Sequence, residues 1–340
     1  MVSDDIKINK LFKNWLSISL LLVLSMIIVG GLTRLTNSGL SITEWELFKG
    51  IFPPTNTSKW NNYFELYKTI PQFEILNPFM SLQEFKVIFY WEYAHRLLGR
   101  FIGLFFLIPL LFFHYKKIKS EYLIPAYIVL ALIIFQGFIG WYMVESGLVN
   151  NVTVSHYRLS LHLGMAVVII SILFWQIICL NKNNQKSFFN FSKKRIPFIF
   201  FLFLIFTQII FGAFVSGLDA GKIYQTWPLM GINYFPDDII ISSFVNFFNF
   251  DAHSLVQFYH RNLAYLIIFY IIFLGFIIKK TEGTVLYKPY VITVCAISLQ
   301  IILGILTLLS DLHIFVASAH QIISIILILS ALNLYYSIIK

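Results

Sequence analysis

Charge is scarce in this chain. Of its 340 residues 12% are Asp, Glu, Lys or Arg and 58% are hydrophobic, whereas a soluble domain averages about 25% charged. A wettable surface cannot be built from that composition, so the soluble fold classes are excluded. Cysteine is almost missing: Cys179 and Cys295 both lie inside apolar runs, and no C-x-x-C or C-x-x-C-H occurs. Thiolate zinc ribbons and covalent c-type haem attachment are therefore unsupported. Acids are fewer than bases, 16 against 25, for a net charge of +9. The placement of the bases speaks against nucleic acid as a partner. They cluster at Lys7, Lys10 and Lys13, at Lys116, Lys117 and Lys119, at Lys182, Lys186, Lys193, Lys194 and Arg195, and at Lys279, Lys280 and Lys288. Each cluster falls before the first or between later apolar runs, as the positive-inside rule expects of cytoplasmic segments. The opposite connections carry Glu44, Glu46, Glu65, Glu74, Asp237, Asp238, Asp251 and Asp311.

Apolar runs long enough to cross a bilayer, about 20 residues each, recur at 13–34, 86–113, 122–144, 156–180, 196–217, 253–278, 286–310 and 314–338. The expected fold class is an all-α polytopic membrane protein of eight transmembrane helices, with both termini cytoplasmic. The first run has no small-residue cleavage site followed by a soluble body, and reads as a retained helix. No Arg-rich, acid-poor presequence precedes it, which favours a bacterial inner membrane over an organelle. Two outer connections are long. The one at 35–85 mixes Pro53, Pro54, Pro71 and Pro78 with aromatic residues, and is expected to form short amphipathic pieces on the bilayer surface. The other spans 218–252.

The two halves, 1–180 and 181–340, resemble each other. "GGLTRLTNSGLSITEW" (30–45) aligns without gaps on "GAFVSGLDAGKIYQTW" (212–227), placing Gly30 on Gly212, Gly39 on Gly221 and Trp45 on Trp227. "YWEYAHRLLGR" matches "LVQFYHRNLAY", "QGFIG" (136–140) matches "QIILG" (300–304), and "LHLGMAVVIISIL" matches "SAHQIISIILIL". The matches keep one order, and each half has four spans. Duplication into two four-helix bundles follows, as parallel repeats because the helix number is even.

That duplication pairs His95 with His260 and His162 with His320. Each stands on an even-numbered span, roughly eight to ten residues from its outer end, or about 12–15 Å deep at 1.5 Å per residue. Any one of them alone reads as a histidine hydrogen-bonded across helices. Four at matching repeat positions fit a metal held between facing helices better. Zinc or di-iron centres want several protein ligands each. Two imidazoles per half suit an axially ligated haem, whose porphyrin supplies the other four donors. Arg96, Arg100, Arg158 and Arg261 are the arginines of spans two to eight and stand close to these histidines. Guanidinium groups suit haem propionates. The residues thus point to two bis-histidine haem sites, one per half.

The other histidines fit less well. His114 sits among lysines at a helix end, where a cation suits the dipole. His156 and His162, six residues apart, point about 120° from each other on a helix. His253 and His313 each precede a candidate ligand by seven residues and read as interfacial groups or haem-edge contacts. The halves also differ: Glu92, at i−3 from His95, has Gln257 as its counterpart. A carboxylate in hydrocarbon is expensive. It either pairs with Arg96, Arg100 or Arg158, or serves a reacting ligand by charge stabilisation or proton transfer. The longer outer connection belongs to the same half, as a lid would. One half would do chemistry and the other would hold a resident group.

"GGLTRLTNSGLSITEW", "SLQEFKVIFYWEYAHRLLGR", "QGFIGWYMVESGL", "HYRLSLHLGMA", "QFYHRNLAY" and "SAHQ" together resemble the haem A synthase family of proteobacteria and mitochondria. The likeness runs from about residue 13 to 338. It implies oxidation of the C8 methyl group of haem O to a formyl group, giving haem A for cytochrome oxidase. It also implies haem b on His260 and His320 near Arg261, with the substrate haem on His95 and His162 near Arg96, Arg100 and Arg158. Glu92 would stand beside the reacting edge. A haem O synthase and an electron-transfer protein are the partners it suggests, besides the lipid bilayer. Some members carry a cysteine pair in the first outer loop; this chain has none there, so no thiol step carries over. Two other classes remain. A di-haem cytochrome b-type electron carrier or quinol oxidoreductase would share the four histidines, with haem in both halves as purified and no need of Glu92. A transporter would show broken helices near the midplane, for which Gly103 and Gly164 are thin support.

Overall fold

The computed structural model describes residues 2–45, 49–149, 151–182, 186–189, 191–240, 244–281 and 285–338; Glu46, one of the outer acids above, lies outside them. Among the described residues the helices run α1 Val2–Leu35, α2 Thr57–Lys68, α3 Pro71–Leu76, α4 Leu82–Tyr115, α5 Ser120–Leu148, α6 His156–Asn181, α7 Ile196–Gly217, α8 His253–Thr281, α9 Tyr287–Leu309 and α10 Ile314–Ile338. Eight of these, all but α2 and α3, are long and apolar enough to cross a membrane. Large apolar side chains such as Ile108, Ile134, Phe269 and Phe276 stand exposed along them. Such a surface suits hydrocarbon, in which every backbone polar group must be satisfied inside the helix. The protein is an all-helical, multi-pass membrane protein.

The helices outrun the apolar segments at several places, and at the starts of α1 and α4 a local reason is plain. α1 begins well before residue 13, because lysine is a good helix former and an apolar window is blind to a polar helical extension. α4 begins at Leu82 because Ser81 and Glu84 form a capping box: Glu84 N–H donates to Ser81 Oγ at 3.3 Å, and Ser81 N–H to Glu84 Oε2 at 2.8 Å. Two orphan donors of the helix start are thereby satisfied.

The chain falls into two compact units, Met1–Gln176 and Ile177–Lys340. In the first, α1 packs on α4, α4 on α5, α2 on α4 and α3 on α5. In the second, α9 packs on α10, α7 on α8 and α10, and α8 on α9. The outer segment of the first unit differs from expectation. Instead of resting its apolar side on a bilayer, α2 buries Trp60, Phe64 and Tyr67 against Phe85 and Phe89 in the opening turns of α4, with Leu40 and Ile42 in the same cluster. Trp60 meets Phe89 edge-on at 5.0 Å, and Phe64 lies 5.0 Å from Phe85. The capped extension of α4 supplies the protein surface that α2 covers.

Candidate functional site

Each unit brings its two repeat-matched histidines opposite one another, with the ring planes at 53° in the first unit and 75° in the second. In the first unit the rings of His95 on α4 and His162 on α6 lie 6.4 Å apart, centroid to centroid. In the second, His260 on α8 and His320 on α10 lie 6.5 Å apart. Two imidazoles bound to one metal at about 2 Å per bond would place their centroids about 6 Å apart. The ring spacing therefore suits a single iron between each pair. Among the described residues no group of three or more His, Cys, Asp or Glu side chains could hold a metal ion. A site with two protein ligands is consistent with a group that brings its own remaining donors.

The rings are backed by glycine. A Cβ on Gly30 of α1 would fall 3.1 Å from His95 Nε2, and one on Gly140 of α5 would fall 3.1 Å from His162 Cε1. The second unit repeats this with Gly212 of α7 at 3.2 Å from His260 Cε1 and Gly304 of α9 at 2.9 Å from His320 Cε1. Any side chain at these four positions would push against an imidazole in a close-packed interior. Three glutamines stand one turn before three of those glycines. Gln136 Nε2 donates to the His162 carbonyl at 2.9 Å, Gln208 Nε2 to the His260 carbonyl at 3.0 Å, and Gln300 Nε2 lies 3.3 Å from His320 Nε2. The side-chain oxygens of all three are buried without a hydrogen-bond partner, as is His162 Nδ1. Sequence reasoning used the glycines only to align the halves and passed over the glutamines, although "QGFIG" and "QIILG" carried the signal.

The four histidines stand at unequal distances from their helix starts, where eight to ten residues are expected. His162, His260 and His320 lie about two turns into their helices, while His95 lies more than three turns into α4. The capping box moves the start of α4 outward, so distance from a helix start is no measure of a shared layer.

Glu92 takes the structural option that its neighbours offered. It is 3% exposed, and Arg96 Nη2 stands 2.6 Å from its Oε1. Arg96 Nε donates to the same oxygen at 3.0 Å. Ser41 Oγ and the Ile42 N–H donate to Oε2 at 2.7 and 2.9 Å. Both oxygens are thus engaged by two donors each. Arg96 in turn donates to the carbonyls of Ile42 at 2.8 Å and Glu44 at 3.2 Å, with its guanidinium 5.3 Å from the Trp45 ring centre. The pair ties the start of the outer segment to α4, one turn from His95.

The second unit holds its outer segment at the equivalent atoms. Arg261 donates to the carbonyls of Tyr224 and Thr226, both at 2.8 Å, and these residues fall on Ile42 and Glu44 in the gap-free register of 212–227 on 30–45. At the Glu92 position, Gln257 Nε2 donates to the Tyr224 carbonyl at 2.9 Å. One unit ties the loop through an anion that accepts, and the other through a neutral amide that donates. Asp238 adds a further tie there, accepting from Tyr224 at 2.8 Å and Ser254 at 2.6 Å. The hydrogen bond to Asp238 holds the Tyr224 phenol above its ordinary pKa.

The remaining arginines also meet main-chain oxygens. Arg158 donates to the Tyr142 carbonyl at 2.6 Å and stacks 3.7 Å over the Tyr142 ring. Arg100 donates to the Gly50 carbonyl at 3.3 Å and, with Arg96, lines a small cavity floored by Ile42, Phe89 and Tyr93. His114 is paired with Tyr127 at 2.9 Å, and His156 lies against Tyr157 at 4.0 Å. His313 packs on Phe315 at 5.6 Å. His253 is the first residue of α8.

The chain as a whole is similar to known proteins. The profile of the cytochrome oxidase assembly protein family matches residues 13–332. A heme A synthase of Pelagibacter ubique strain HTCC1062 is 49% identical over 331 residues, covering 96% of each chain. A heme A synthase of Rickettsia felis is 42% identical over 336 residues, 98% of this chain and 99% of that one. Another, of Rickettsia canadensis, is 41% identical over 341 residues, 98% of both.

Proposed function

This chain belongs to the cytochrome oxidase assembly protein family that includes the haem A synthases, and from that premise we propose that it makes haem A within a membrane, oxidising the C8 methyl group of haem O to a formyl group. The observation that carries the reading is the pair of facing imidazoles in each unit, at 6.4 and 6.5 Å. The two halves arose by duplication in this reading, and their differences divide the work between them.

His260 and His320 hold a resident haem b, which when bound supplies one-electron redox chemistry. His95 and His162 hold the substrate haem O by its iron, with Gly30 and Gly140 leaving room for the rings. Arg100 and Arg158 face the propionates, where guanidinium suits carboxylate. Arg96 divides its donors between Glu92 and the carbonyls of Ile42 and Glu44, and Arg261 gives its own to the carbonyls of Tyr224, Thr226 and Leu229. Glu92 accepts four hydrogen bonds and is therefore better suited to hold charge than to move a proton. It supplies a preorganised negative charge beside a carbon that becomes electron-poor as it is oxidised. It also pins the segment that keeps water from the reacting edge. Conversion of a methyl to a formyl group takes one oxygen atom from water and releases four electrons and four protons, so an electron acceptor is required, and haem O synthase is the source of substrate. The bacterial relatives and the basic connections support an inner-membrane location with cytoplasmic termini.

The test is chromatographic identification of porphyrins extracted from the purified protein. One haem b per chain together with haem O, haem A or an alcohol intermediate is the expected result. Two haem b per chain, with no modified porphyrin formed when haem O is supplied, would instead make it a di-haem electron carrier.

A further inference from the structure

The four histidines are not supported alike. Gln136 and Gln208 donate from Nε2 to the main-chain carbonyls of His162 and His260, and Gln208 and Gln300 also bring Nε2 to 3.2–3.3 Å from the His260 and His320 rings. In the register that lays Gly30 on Gly212, the counterpart of Gln208 is Met26. Its Cε lies 3.3 Å from where a Cβ on Gly99 would stand, one turn along α4 from His95. Among the described residues neither the His95 ring nor the His162 ring has a hydrogen-bond partner, but His162 alone of the two has a glutamine at its main-chain carbonyl.

An imidazole that ligates a metal through one nitrogen carries a proton on the other, and that N–H is almost always given to an acceptor that fixes the ring. The three glutamine side-chain oxygens are acceptors of that kind, buried and without partners. His320 has in addition the Gln300 carbonyl, 3.1 Å from its Nδ1. A thioether is a poor acceptor, so Met26 cannot replace the amide. In the second unit both ligands have a glutamine; in the first only one does.

Resting on the reading of the two sites as resident and guest haems, we infer that Gln136, Gln208 and Gln300 are positioning residues for His162, His260 and His320, and that Met26 makes His95 the ligand that lets go. The resident haem is clamped from both sides. The guest is gripped by His162 and held reversibly by His95, so that it can enter, react and leave. Glu92 stands on the same helix as the releasable ligand, which puts the fixed charge on the side where the guest is free to shift.

The test measures haem release from each site of the full-length protein in lipid nanodiscs, by transfer to a haem-free globin followed by absorbance. Removal of such a supporting hydrogen bond typically changes affinity by roughly 10–100-fold. Gln208→Met should speed release of the resident haem by about tenfold or more, and Met26→Gln should slow release of the guest by a similar factor. Met26→Leu, which adds no acceptor, should behave as the parent and controls for packing. The ferric guest haem should also move toward the low-spin state in Met26→Gln, a spectroscopic change that a purely structural effect would not give. Release rates within about twofold of the parent in both Gln208→Met and Met26→Gln would overturn the inference, provided His95→Ala and His260→Ala still abolish binding at their own sites. If those histidine variants bind haem normally, it is the assignment of the sites that fails.

Discussion

Glu92 has one duty in the structure and a second in the proposed reaction. Its carboxylate is buried, paired with Arg96 and hydrogen-bonded to Ser41 and Ile42, and breaking a buried pair by removing one partner costs about 3–5 kcal/mol. An alanine there would confuse lost charge with a loosened loop. Glu92→Gln is the sharper change, because Gln257 already occupies the matching place and ties its own loop as an amide. Glu92→Gln should leave the resident haem b spectrum unchanged and lower haem A formation by roughly 10²–10³-fold, the range for removing one preorganised electrostatic group. Porphyrin chromatography on the purified variant checks both halves of that statement, and formation near the parental rate would leave Glu92 a loop tie only. At Gly140 or Gly304, alanine would place a Cβ about 3 Å from an imidazole. Gly304→Ala should therefore perturb the resident haem spectrum, while Gly140→Ala should leave it intact and weaken uptake of haem O.

Among the elements, α2 and the opening turns of α4 form the part with the least precedent in the hydropathy pattern. α2 carries three buried aromatic residues on one side and a hydrogen-bonded start at Asn56, whose Oδ1 accepts from the Lys59 N–H at 2.9 Å. Its partner surface exists only because the capping box carries α4 outward to Leu82. Truncation of a buried Trp costs about 3–5 kcal/mol. Trp60→Ala should consequently release α2 locally, raising protease cleavage within 35–85 while the resident haem b stays bound. Loss of haem b in that variant would show that the outer segment supports more than its own unit.

For the molecule as a whole, the proposed division of labour between the halves makes an unequal prediction from equal-looking substitutions. His260→Ala or His320→Ala should strip haem b from the purified protein, whereas His95→Ala or His162→Ala should leave it and abolish haem A formation. The count of haem per chain reads this directly, and an unchanged haem b spectrum in both second-unit variants would refute the assignment. The charge pattern makes a separate claim about orientation. Cysteines placed in 116–119 and 182–195 should react with thiol reagents only from the cytoplasmic side, and cysteines in 55–59 only from the outer side.

Much of this was legible in one dimension. Hydropathy alone marks eight spans, because a helix in hydrocarbon must be apolar over about 20 residues whatever it packs against. Repeat spacing alone singled out His95, His162, His260 and His320, which the structure brings together in two pairs. The loss of symmetry at Glu92 and Gln257 was equally plain. What folding decided lies in contacts between residues far apart along the chain. The Glu92 carboxylate meets Ser41 and Ile42, some 50 residues away, and Arg261 meets Tyr224 across 37. Neither partner carries a periodic or compositional mark. The glycines that back the rings, the glutamines beside three of them and the protein surface under α2 likewise depend on which helix faces which. Local pattern sets what each segment is able to bury; only the packed helices settle which groups meet, because a hydrogen bond is made at 3 Å in space and not at any spacing in the chain.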